Sequence, residues 1–216
     1  MINLNFLPSG QHIFIHAKIK NFSKNFSSYR DASLKLIDHI LETKPKSLVI
    51  PSFTYSFTRS KLFSQKNSIS EVGRFSEEIR KHCSFSNRSL DPIFSTVDFL
   101  NYGFNRNEII KESFGLNSIF SHFEKLNGIV INFDLDQLVS SQIHYFEKKF
   151  NVSYRTNKKF TGDILLYDKK KFKVEYVFFC RNMAKNYSWD RKKIKNDLIN
   201  SKILRENIYD DYKIEW

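Results

Sequence analysis

HIFIHAKIKNFSKNFSSYRDASLKLIDHILETKPKSLVIPSF, residues 12–53, is the stretch that decides the fold class. His12–Ile19 alternates polar and apolar side chains, the two-residue period of a strand. In Asp31–Thr43, Leu34, Ile37 and Leu41 recur at helical spacing. Ser47–Phe53 is a short apolar run of the kind that forms a buried strand. Strand, helix and strand in that order predict a parallel crossover unit.

The same pattern continues on the C-terminal side. Ser68-Ile-Ser-Glu71 has the form of a capping box ahead of a helix with Val72, Phe75 and Ile79 on one face. Pro92–Leu100 reads as a strand. Asn117 is placed to cap a helix carrying Ile119, Phe120 and Phe123, with Gly128 at its end. Gly128–Phe133 is another buried-strand run. Leu138–Phe150 reads as a helix with Val139, Ile143, Phe146 and Phe150 as its apolar stripe. Phe172–Phe179 alternates like a strand. Ser188 opens a last helix with Ile194, Leu198 and Leu204 inward. Alternating elements of this kind predict an α/β fold, and with no internal repeat or Pro/Gly/Ser-rich linker they predict one domain over residues 1–216.

The 216 residues are 41% hydrophobic and 27% charged, a globular composition with 22 Phe and only six Gly. No apolar run approaches the roughly 18 residues of a membrane helix. The opening MINLNFLPSG has neither a basic segment nor a long apolar one, so no signal peptide is expected. Cys83 and Cys180 stand alone, which argues against a zinc ribbon, a redox CxxC or a disulfide scaffold. A reduced, soluble, cytoplasmic protein is the expectation. The net charge of +12 is concentrated: residues 148–195 hold fifteen Lys/Arg against four Asp/Glu. Such a band attracts polyanions, nucleic acid, phosphorylated cofactors or nucleotide-linked substrates. A solvated lysine-rich face accounts for the same charges.

The chain lacks GxGxxG after a strand, GxxxxGK[ST], HExxH and GxSxG. Three segments do carry a pattern. Phe14-Ile-His-Ala-Lys-Ile19, a helix, and Leu48-Val-Ile-Pro-Ser-Phe-Thr54 come first; Arg88-Ser-Leu-Asp-Pro-Ile-Phe-Ser95 is second; Ile143-His-Tyr-Phe-Glu147 is third. In this order they resemble the aminoglycoside 3-N-acetyltransferase family: its opening strand ending in His-Ser-Ser, its Met-Pro-Thr-Phe-Thr strand end, its Arg-Ser-x-His-Pro-x-x-Ser and its Ile-His-x-x-Glu. The resemblance implies an α/β unit with a central mixed sheet flanked by helices. It also implies transfer of an acyl group from acetyl-CoA or another acyl-CoA to the amine of an amino sugar, without a metal. Two positions depart from the pattern. Asp91 stands where the family has His, and Lys18 where it usually has a small hydroxyl residue.

An amine must lose a proton to attack a thioester, and imidazole is the natural base for that step. His144 is the candidate base. Glu147, at i+3 on the same helix, is placed to orient the ring; an exposed His beside a solvated Glu is the bland alternative. The family draws a partner Glu from a later region, which implies the same role for Glu175 and makes it the preferred orienting carboxylate with Glu147 in reserve, although a salt bridge to Lys173 or Lys171 explains Glu175 equally. Arg88 suits a phosphate or a carboxylate, and with Lys18, Ser52, Thr54, Ser89 and Ser95 it makes up the expected cofactor-binding set; a turn or cap bond explains each hydroxyl singly. Asp91 is the expected acceptor-binding residue. The positive charge favours an anionic acceptor, a nucleotide-linked amino sugar of surface polysaccharide synthesis, over a cationic aminoglycoside. Two other classes compete. Lys169–Phe179 interleaves basic and aromatic residues as nucleic-acid-binding surfaces do, and Asp134 and Asp136 with His144 suggest a hydrolase, although the Asp pair serves equally as a helix cap.

Overall fold

The computed structural model describes all residues except 1–3, 5, 8, 105–107, 185–186 and 210–211. The opening strand, helix and strand form a parallel crossover, but the helix buries Ala32, Leu36, Ile37 and Ile40, with Leu34 and Leu41 of the expected stripe only partly covered. Strand β1 (His12–Ala17) leads to helix α1 (Tyr29–Glu42) and strand β2 (Ser47–Pro51), and β1 pairs with β2 in parallel. Ser28 caps α1, its hydroxyl accepting from the Asp31 amide at 3.0 Å. Then come α2 (Ser56–Ser60), β3 (Leu62–Ser64), α3 (Arg74–His82), β4 (Thr96–Asp98), α4 (Ile119–Lys125), β5 (Ile129–Phe133) and α5 (Gln142–Lys149). A long hairpin of β6 (Arg155–Leu165) and β7 (Lys171–Arg181), helix α6 (Arg191–Asn200), β8 (Glu206–Ile208) and β9 (Lys213–Glu215) complete the chain.

Six strands form a mixed sheet in the order β4-β2-β1-β5-β9-β8, with β1, β2 and β5 parallel and β4, β8 and β9 antiparallel to their neighbours. Three more form a second sheet, β3-β6-β7. Alternation along β1 divides two cores. Ile13 and Ile15 pack with Leu36 and Ile40 of α1 and Phe75 and Ile79 of α3, whereas Phe14 faces Phe120, Phe123 and Tyr176 on the other side. That second core takes up much of the phenylalanine surplus, with Phe53, Phe57, Phe63, Phe94 and Phe114 also buried in it. Gly162 lets the hairpin approach α2, because a Cβ there would collide with the Lys61 carbonyl.

Several local expectations are corrected. Ser68 and Glu71 do not cap α3, which begins after Gly73. The Ser68 hydroxyl accepts from the Ser64 amide, and the Glu71 carboxylate takes the Tyr55 amide and Arg59. Val72 is exposed. Ser118, not Asn117, caps α4. The strand expected over Pro92–Leu100 shrinks to Thr96–Asp98, because Asp91 holds the Ile93 and Phe94 amides in a turn. Asp190, not Ser188, caps α6.

Candidate active site

Strand β5 and helix α5 carry the centre of the site. Asn132 is buried, and its side-chain oxygen accepts from the Val139 amide at 3.1 Å; Gln142 donates to the Phe120 carbonyl at 2.7 Å. These bonds fix the start of α5, four residues later than the apolar pattern suggests. The expected stripe is also out of phase. Phe150 is 75% exposed and Phe146 37%, while Tyr145 and Glu147 are buried.

Buried Glu147 is the reason for that inversion. Its Oε2 lies 2.7 Å from His144 Nδ1 and 2.5 Å from Arg155 Nε, and its Oε1 accepts from the Tyr154 hydroxyl at 2.8 Å. Burial pushes its carboxyl pKa up, but the bonds from His144 and Tyr154 and the Arg155 charge outweigh this and hold it below the ordinary range. Arg155 Nη2 also lies 2.7 Å from His144 Nδ1. One ring nitrogen cannot donate to Glu147 and accept from Arg155 at once. The carboxylate favours the tautomer with the proton on Nδ1, leaving the Nε2 lone pair free to accept one.

The His144 ring rests edge-on against Phe114 and tilts against Trp189, with centroids 5.4 and 5.6 Å away. The preceding loop is tied to β7 by the Val177 amide on the Lys111 carbonyl and the Ser113 amide on the Val177 carbonyl, which carries Phe114 under the ring. A cavity of about 320 Å³ opens beside His144 and Glu147, walled by Tyr154, Arg155, Arg181, Tyr187, Trp189 and Arg191. Three arginines and three aromatic side chains face one carboxylate that is already paired. Sequence reasoning named His144 and Glu147 but missed Tyr154, Arg155 and Trp189. The basic band was the only signal for the arginines.

The remaining candidates lie elsewhere. Glu175 is corrected: it stands on the open face of β7, 56% exposed, and pairs with Lys159 at 3.1 Å rather than with Lys171, Lys173 or His144. Arg88 is 1% exposed. It donates to the Ser52 carbonyl (2.8 Å), the Ser52 and Ser95 hydroxyls (3.1 Å each) and the Gln65 and Ser68 carbonyls (3.2 and 2.5 Å), and stacks over Phe63. Burial lowers its pKa to about 9, so it keeps its proton at neutral pH. Arg88, Ser52 and Ser95 thus clasp β2 to the loops around it, with the guanidinium buried rather than open to a phosphate. Ser89 accepts from the Thr96 amide, and Thr54 donates to Glu71. Lys18 is half-buried and bonded to Asp136 at 2.7 Å. Asp91 is buried, accepting from Ile93, Phe94 and the Tyr176 hydroxyl (2.8 Å), and burial raises its pKa to about 6 against those bonds. It holds the turn and the hairpin rather than a solvent-borne amine. Asp134 adopts left-handed backbone and caps no helix. Among the described residues no His/Cys/Asp/Glu group is arranged to hold a metal, and no helix is long and apolar enough to cross a membrane.

No family model and no curated protein matches the sequence. Solved structures do. The aminoglycoside acetyltransferase AAC(3)-Xa is 14% identical with a TM-score of 0.75, over 97% of this chain and 82% of its own. AAC-VIa bound to sisomicin is 14% identical at 0.72, over 96% and 86%. AAC-IIIb in binary complex with CoASH is 12% identical at 0.73, over 97% and 85%. A mixed sheet flanked by helices, with the His144 helix following its central parallel strand, is therefore the aminoglycoside 3-N-acetyltransferase fold.

Proposed function

We propose that this chain acts as one acyltransferase domain, moving an acyl group from a coenzyme A thioester to the amine of an amino sugar. His144 is its general base and Glu147 the carboxylate that orients the base. The observation that carries the reading is the buried Glu147 bridging His144 and Arg155 at the wall of a 320 Å³ cavity. The fold likeness, which includes a CoASH-bound structure, supports the same donor.

In this reading the amine nitrogen attacks the thioester carbonyl and a C–N bond forms. His144 Nε2 takes the amine proton, the C–S bond breaks, and the thiolate leaves and is protonated as CoASH. Glu147 holds the imidazole through Nδ1 and stabilises it while it is charged. Arg181 and Arg191, exposed at the cavity, suit the phosphates of the donor.

The sisomicin-bound neighbour supports an aminoglycoside as acceptor. A second reading has its own observation. The arginine-lined cavity favours an anionic acceptor such as a nucleotide-linked amino sugar, whose base has Tyr154, Tyr187 and Trp189 to stack on. The test has two steps. Acetyl-CoA at about 100 times its dissociation constant should stabilise the fold by roughly 2.7 kcal/mol; no thermal shift removes the acyltransferase reading. Turnover on an aminoglycoside is then compared with turnover on a nucleotide-linked amino sugar across a salt series. Only the anionic acceptor should lose affinity by screening of the arginines.

A further inference from the structure

Helix α6 buries none of its residues, yet Arg191, Ile194 and Leu198 recur at i, i+3 and i+7 and share one face. That face lines a trough beside the start of α5. Next to His144 the trough is a recess of about 110 Å³ bordered by Leu138, Ile143, Trp189 and Ile194. Leu138, Ser140 and Ile143 also border a larger cleft of about 560 Å³, whose walls include Phe146, Leu198, Ile203 and Leu204. The recess and the cleft therefore adjoin, with Leu138, Ser140 and Ile143 on the boundary between them. A cleft of this size falls within the roughly 300–1,000 Å³ of small-molecule sites. Ile203 is 70% exposed and Phe146 37%, apolar surface with no protein cover.

His144 stands where two unlike spaces meet. The arginine-lined cavity shares His144, Trp189 and Arg191 with the recess, and the recess shares Leu138, Ser140 and Ile143 with the apolar cleft. An acyl thioester is divided in the same way. Its phosphate-bearing carrier is anionic, its acyl chain is hydrocarbon, and the reacting carbonyl joins them.

We propose that the trough between α5 and α6 binds the hydrocarbon chain of an acyl group longer than acetyl, in the medium-chain range. The thioester carbonyl lies at His144 and the chain runs past Ile143 toward Leu198 and Ile203. This inference rests on the acyltransferase reading and names its donor. An acetyl group ends in the recess and leaves the larger cleft to water, whereas a medium chain covers Phe146 and Ile203.

Calorimetric titration with CoASH and with acetyl-, butanoyl-, hexanoyl-, octanoyl- and decanoyl-CoA tests this without acceptor or turnover. Affinity should rise roughly two- to fourfold per added methylene until the trough is full. Leu198→Trp, which fills the trough, and Ile203→Asp, which charges its wall, should each flatten that rise; neither residue is buried, so both variants should fold. Binding of CoASH with a flat chain-length series overturns the inference and leaves the acyltransferase reading standing. A rise that persists in both variants places the chain elsewhere and also overturns the inference. Failure to bind CoASH or any acyl-CoA overturns both.

Discussion

Arg88 and Arg155 are both guanidinium groups largely withdrawn from water, and their surroundings give them opposite uses. Arg88 is buried among carbonyl and hydroxyl acceptors of Ser52, Gln65, Ser68 and Ser95. Arg155 meets a carboxylate and an imidazole at the wall of a cavity. One arginine holds loops together and the other lies against a carboxylate and an imidazole beside open space. Residue type, and even membership of a family-like motif, does not separate these uses. The acceptors a cation meets, and the open space beside it, do.

The largest expected effect breaks the Arg88 side of this comparison. Arg88→Met leaves buried carbonyls and hydroxyls without donors, and should cost about 3–5 kcal/mol in chemical denaturation. A midpoint near that of the parent chain would mean the clasp does not hold β2. On the other side, Glu147→Gln should lower turnover on the order of 10²-fold, less than loss of the base itself, because the ring keeps its place but loses its charged partner. A KM change with unaltered kcat would show that Glu147 serves binding instead.

Two buried titratable groups sharpen the structural half. Asp91 has its pKa raised to about 6, so its stabilising contribution is complete below pH 3.8 and is lost as pH rises through 6. His16 is buried, its pKa lowered to about 4 by desolvation. Its contribution is present above pH 6.5 and is lost as pH falls toward 4. The two slopes oppose each other. Asp91→Asn should therefore unmask a loss of about 2 kcal/mol between pH 6.5 and 4 that the parent chain largely hides. An unchanged stability–pH profile in this variant would contradict the assignment. The smallest effect is expected at Glu175. Its exposed pair with Lys159 contributes little, so Glu175→Gln should change stability by less than about 0.5 kcal/mol and turnover by less than roughly twofold. A shift of the pH–rate profile in this variant would restore it as a partner of His144.

Much of the architecture is legible in the sequence because it rests on periodicity. The apolar runs of β2 and β5 read as buried strands and the parallel pairing follows, whereas the stripe of α1 is out of phase, with Ala32, Leu36 and Ile40 rather than Leu34 and Leu41 buried beside Ile37, and β1 is buried on both faces. The pair His144 and Glu147 is legible because i,i+3 on a helix guarantees proximity. Glu175 misleads because alternation shows which residues share a face of β7 but not where that face is covered. Toward Phe179 it lies under Arg155, and at Glu175 it is bare. The phase of α5 misleads because a buried carboxylate cluster inverts the usual rule that Phe goes in and Glu out. Tyr154 and Arg155 follow Glu147 by seven and eight residues with no local motif, and only the chain reversal into β6 brings them back to it.

The most direct test of the proposed centre is single-turnover acyl transfer by His144→Ala, measured together with its affinity for acyl-CoA. Removing the base should lower the rate roughly 10²–10⁴-fold while the affinity stays close to that of the parent chain. A rate equal to the parent's would contradict His144 as the base. A rate lost only in proportion to a loss of acyl-CoA binding would make His144 a binding residue and leave the reaction without its proposed catalyst.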